Sequence, residues 1–114
     1  MIHILCDVAS LRARDARSLD VQTPNGSVEV VVVKWRGEVY LYRNACPHTG
    51  VSLNWLPDQF WSVEGDHLQC STHGAQFRPE DGRCVWGPCL GQALEALPRV
   101  IEGGMVCWVQ VLEG

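Results

Sequence analysis

Two short segments, Cys46-Pro47-His48-Thr49-Gly50 and Cys70-Ser71-Thr72-His73-Gly74, restrict the folds open to this chain more than any other feature. Each offers one thiolate and one imidazole and then turns on a glycine, so each is half of a metal site. Any fold that uses both halves must bring together loops held apart by the 21 residues from Thr49 to Gln69. Two sulfur and two nitrogen ligands narrow the occupant to zinc or an iron-sulfur centre. Zinc knuckles usually pair like with like, whereas here each half is mixed, as Cys-x-His and as Cys-x-x-His. A mixed pair on each loop suits a centre with two unlike irons, one held by both cysteines and the other by both histidines.

His3 and His67 serve as internal controls. Neither has a cysteine two or three residues away in a comparable loop, and both read as structural or solvated histidines.

The spacing Cys46-x-His48 followed by Cys70-x-x-His73 resembles the Rieske 2Fe-2S signature. Its flanks strengthen the resemblance: Gly74-Ala75-Gln76-Phe77, Asp81-Gly82-Arg83 and Gly87-Pro88 stand where that family has its second cluster loop, the next strand and a covering proline loop. The likeness extends from about residue 28 to residue 112. It implies that Cys46 and Cys70 bind one iron as thiolates and that His48 and His73 bind the other, their outer edges facing a partner. It also implies a one-electron carrier that does no bond chemistry itself, served by a flavin-dependent reductase and delivering to an acceptor oxygenase of the ring-hydroxylating kind. Two other readings remain. One is a non-redox accessory subunit, similar to the small subunit of assimilatory nitrite reductase, a branch that commonly lacks the ligands intact here. The other is a structural zinc module.

The high-potential branch of the family has an extra cysteine in each loop, joined as a disulfide, where this chain has Val51 and Thr72. That branch also has a serine and a tyrosine bonding to cluster sulfurs, where this chain has Ala75 and Phe77, which donate nothing. Fewer hydrogen bonds to sulfur leave the reduced, more negative state less stabilised. The expectation is a low-potential, ferredoxin-like carrier, near or below about -100 mV within a family range of roughly -150 to +300 mV.

Composition is consistent with this. With 114 residues, 46% of them hydrophobic and 19% charged, the chain fits a single domain over 1–114 with a real core, its cluster-binding part at about 44–90. No apolar stretch is long enough for a membrane helix, since the valine run 30–33 is closed by Lys34. The amino terminus lacks a basic leader with a long apolar stretch, so the expected location is cytoplasmic. A net charge of -4 argues against nucleic acid. No nucleophile-base constellation and no phosphate-cradling glycine motif supports a substrate-converting enzyme.

Local patterns predict an all-β fold, a small antiparallel sandwich or barrel, and the resemblance implies that it is of Rieske type with a cluster-binding subdomain formed by the two loops. Residues 1–8 alternate as a strand, and 8–20 reads as a helical turn or irregular connection. Thr23-Pro24-Asn25-Gly26 is a turn. Residues 28–35, β-branched and apolar on both faces, form a central strand. Arg36-Gly37 then leads into a strand at 38–43. Further strands are expected at 67–69, 83–86, 99–102 and 105–112. The best helical candidate, 92–97, is cut by Pro98.

Two features stay open at this level. The aromatic stretch 54–61 reads as a satellite core in preference to a docking patch for the partner. Cys84 and Cys89 are buried thiols, a strained disulfide or an alternative ligand pair, thiols fitting a reducing compartment best. Cys6 and Cys107 read as core.

Overall fold

The structure is a computed structural model; it describes residues 1–47, 50, 52–54, 60–62, 64–71 and 74–111. Nine strands occur among these residues, and no α-helix. They are β1 (Ile2–Asp7), β2 (Ala16–Thr23), β3 (Gly26–Trp35), β4 (Glu38–Arg43), β5 (Leu68–Gln69), β6 (Gln76–Phe77), β7 (Cys84–Trp86), β8 (Arg99–Glu102) and β9 (Met105–Val109). They form three antiparallel three-stranded sheets, ordered β1-β9-β8, β2-β3-β4 and β5-β6-β7. The expected all-β architecture is therefore present, and no described helix is long and apolar enough to cross a membrane.

The valine run explains how the sheets are arranged. Side chains of a strand alternate between faces, and in β3 both faces are buried. Val31, Val33 and Trp35 join a core with Phe60, Leu68, Cys70, Phe77 and Cys84, on the side of the β5-β6-β7 sheet. Val30 and Val32 join a second core with Val106 and Trp108 of β9. β4 divides in the same way, Tyr42 to the first core and Val39 and Leu41 to the second. Val30 to Val33 are all fully buried, so the four side chains together contribute on the order of 6–12 kcal/mol of apolar burial. Strand β3 is thus the wall shared by both cores.

The turn at 24–25 and the Arg36-Gly37 turn lie where expected, the latter with φ of 49° and 83°, the left-handed pair that closes a tight hairpin. The reading of 8–20 as an irregular connection needs correction. Val8–Ser10 is one 3-10 turn, with Asp7 Oδ1 accepting from the Ala9 amide at 2.8 Å, but Ala16–Thr23 pairs along its whole length with β3. Its alternation is weak because as an edge strand it places charged Arg17 and Asp20 among its apolar residues. Strand β9 ends at Val109, earlier than expected. Residues 92–97 form isolated bridges, Arg83 to Ala93 and Tyr42 to Ala96, and no helix.

Candidate metal centre

Strands β4 and β5 each end at the mouth of one expected ligand loop. Cys46 follows β4 and is 1% exposed; Cys70 follows β5 and is fully buried. Both belong to the first core. The two loops are built alike. The Gly50 amide donates to the Cys46 carbonyl at 2.7 Å, and the Gly74 amide donates to the Cys70 carbonyl at 2.8 Å. Each glycine has a left-handed φ, 77° at Gly50 and 72° at Gly74, which other residues adopt at a cost. The loops are joined directly, the Ser71 amide donating to the Leu53 carbonyl at 2.7 Å. His48 and His73 lie outside the described residues, as do Val51 and Thr72. Among the described residues no group of three or more metal-ligating side chains assembles.

Sequence reasoning missed the residues that hold the first loop. Asn44, 3% exposed, is placed by β4 at the start of that loop. Its amide group donates to Glu29 Oε2 of β3 and, at 2.9 Å, to Asn54 Oδ1; its Oδ1 accepts from the Leu53 amide at 2.9 Å. The second oxygen of Glu29 accepts from Ser52 Oγ at 3.1 Å. One carboxylate and one carboxamide thereby tie both ends of the segment 44–54 to the central strand. A signal was present: Glu29 is the one charge inside Val28 to Val33.

The second loop is covered as expected. Gly87 lies against it so closely that an added Cβ would be 2.8 Å from the Ala75 Cα, which accounts for the glycine and for a small residue at 75. Behind it, Tyr42 Oη donates to the Pro79 carbonyl at 2.6 Å, and burial pushes the Tyr42 phenol well above its ordinary range, with lesser contributions from Asp81, Tyr40 and Glu80. Trp86 is 60% exposed and its ring borders Gly74.

The remaining sulfurs separate clearly. No disulfide joins any of the six cysteines. Cys84 is buried and its thiol donates to the Trp86 carbonyl at 3.3 Å, while Cys89, fully buried, brings its sulfur within 3.6 Å of Cys46 Sγ. Cys107 is a core residue; Cys6 is half-buried against the second core, and burial raises its pKa. His3 bonds to Gln110 Oε1 at 2.6 Å and leans on Trp108, and His67 bonds to Asp66 at 2.8 Å. In the 54–61 stretch Phe60 is fully buried and Trp61 stacks on Trp35 with centroids 5.5 Å apart. Phe60 lies in the first core and Trp61 packs against it while partly exposed; Trp55 to Gln59 lie outside the described residues.

The donor set fits an iron-sulfur centre. Two thiols sit buried in an apolar core on like-built loops, each followed two or three residues later by a histidine in the chain. Sequence comparison decides the family, because the Rieske [2Fe-2S] domain family matches residues 2–108. The chain belongs to the Rieske [2Fe-2S] domain family. Its cofactor is the Rieske 2Fe-2S cluster. Among curated relatives it is 44% identical over 49 residues to cholesterol 7-desaturase Nvd of Xenopus laevis, 43% of this chain and 10% of that protein. It is 35% identical over 81 residues to the ferredoxin component of the alkene monooxygenase system of Xanthobacter autotrophicus, 71% of this chain and 62% of that one. The chain therefore spans less than two thirds of either relative. The Sphingomonas yanoikuyae B1 ferredoxin superposes with a TM-score of 0.72 at 28% identity, covering 97% of this chain and 100% of that one. A chain from a complex of reduced oxygenase and oxidized ferredoxin in carbazole 1,9a-dioxygenase superposes with a TM-score of 0.74 at 20% identity, covering 98% and 97%, and shows the shared Rieske fold.

Proposed function

We propose that the chain is a low-potential one-electron carrier, a single domain over 1–114 in which Cys46 and Cys70 hold one iron of the cluster and His48 and His73 the other. In this reading it passes electrons from a flavin-dependent reductase to an acceptor oxygenase. The observation that carries it is the pair of like-built loops, each presenting one buried cysteine with its carbonyl closed by a glycine four residues on. The relatives named as ferredoxin components of oxygenase systems support the direction of the electron flow. When bound, the cluster supplies a one-electron couple. The chain's own contribution is to seat Cys46 and Cys70 in an apolar core with Phe77, Leu53 and Ala75, to hold the first loop to β3 through Glu29, and to hold the second loop to the first through Ser71 and Leu53. Ala75 and Phe77 present no donor, which supports a potential near or below about -100 mV. The four cysteines not assigned to the cluster, Cys6, Cys84, Cys89 and Cys107, form no disulfide, which supports a cytoplasmic location.

Visible and electron paramagnetic resonance spectra before and after dithionite test this reading. The wild type is expected to give the signature of a mixed-ligand 2Fe-2S centre, and Cys46→Ala, Cys70→Ala, His48→Ala and His73→Ala each to lose it. A colourless protein holding one zinc ion would overturn the assignment. A midpoint well above zero would overturn the low potential.

A further inference from the structure

We infer that Cys89 is a positioning residue that tunes the cluster by donating its S–H to the Cys46 sulfur. The inference deepens the reading above and rests on Cys46 being an iron ligand. The two sulfurs lie 3.6 Å apart, within reach of a sulfur hydrogen bond, and either could be the donor in a pair of thiols. Ligation removes the choice. A cysteine bound to iron does so as a thiolate and has no proton to give, so the hydrogen in this contact belongs to Cys89.

The surroundings keep that donor in place. Cys89 is fully buried, so water does not compete for its hydrogen. Its backbone is held in the covering loop: the Gln92 amide donates to its carbonyl at 2.8 Å, the Leu90 amide donates to the Gly87 carbonyl at 3.2 Å, and Gly87 is pressed against Ala75. Where relatives of high potential place hydroxyl donors, at 75 and 77, this chain has none. A thiol is a weak donor, but in a dry site it faces a sulfur that becomes more negative on reduction, and a hydrogen bond to it favours the reduced state.

The experiment is a redox titration of the cluster-loaded protein as wild type, Cys89→Ala, Cys89→Val and Cys89→Ser, with the visible and paramagnetic resonance spectra recorded for each. Val fills the volume without a donor and Ser restores one. Ala and Val are expected to shift the reduction equilibrium threefold to tenfold toward the oxidised form, about 30–60 mV lower for one electron. Ser is expected to stay within twofold of the wild type. Val and Ala potentials within twofold of the wild type, with the spectrum intact, overturn the inference; so does a Ser variant that falls as far as Val. Failure of all three variants to hold a cluster would make the role architectural and overturn it too. A wild type without the mixed-ligand spectrum would instead overturn the ligand assignment, which separates the two failures.

Discussion

Replacing Asn44 by alanine should loosen the first ligand loop while leaving both candidate cysteines in the chain. The substitution removes three side-chain hydrogen bonds, to Glu29, to Asn54 and from the Leu53 amide. Glu29 and Asn54 are partly exposed and can take up water, so each of those losses contributes only about 0.5 kcal/mol. Leu53 is fully buried, and its amide left without a partner costs about 1–3 kcal/mol. The sum is about 2–4 kcal/mol, a large share of the roughly 5–15 kcal/mol typical of a folded domain. Cluster loss and chain unfolding are separate events, so each is followed by its own probe and the stability difference is taken from the secondary-structure transition. The assay is anaerobic urea titration followed in parallel by visible absorbance and far-ultraviolet circular dichroism. Asn44→Ala should lose colour at lower urea than the wild type, and before its secondary structure, because the damage is local to the loop. Asn44→Asp keeps the acceptor for Leu53 but sets a carboxylate against Glu29, and should also fall below the wild type. An Asn44→Ala variant less than about 1 kcal/mol below the wild type, or losing colour and strand signal together, would refute the claim that this network anchors the loop.

Gly87→Ala and Gly91→Ala separate backbone strain from close approach. Both glycines have left-handed φ, 103° and 93°, costing a side chain about 1–2 kcal/mol, but only at 87 would the new Cβ meet backbone, 2.8 Å from Ala75 Cα, while nothing lies within 4 Å at 91. Gly87→Ala should therefore be about 1–3 kcal/mol worse than Gly91→Ala in the same titration; equal losses would mean the covering loop yields freely. Tyr42→Phe leaves the Pro79 carbonyl without its donor and should cost about 1–2 kcal/mol at neutral pH. Because burial raises the phenol's pKa in the folded state, the unfolded chain gives up the proton first, at about pH 10. Stability from this group is full below that pH and declines above it by at most about 1.4 kcal/mol per pH unit. Wild-type unfolding between pH 9 and 11 should show this extra slope, and Tyr42→Phe should lack it.

Much of the site was readable in the order of residues because its chemistry is local. A cysteine and a histidine two or three positions apart, followed by a glycine, define a loop whose ligands and turn are neighbours in the chain, and the like-built turns at Cys46 and Cys70 follow from that. The four consecutive valines likewise declared a strand covered on both faces. The second strand was harder to read: Ala16–Thr23 owes its conformation to pairing with β3 and carries little signal of its own. Phe60 and Trp61 were ambiguous because an aromatic residue suits a core and an interface equally, and only the structure showed Phe60 buried in the first core and Trp61 packed against it on Trp35.

The sequence by itself determined the class of cofactor, the identity of the candidate ligands and the predominance of short strands, all of which depend on residues adjacent in the chain. The tertiary structure alone decided which polar groups hold the loops and which sulfur faces which. Glu29 and Asn44 are 15 residues apart, and Cys46 and Cys89 are 43 apart. No local pattern links such pairs; they meet because β3 is buried on both faces and the covering loop can approach Ala75 only where a glycine removes the obstruction.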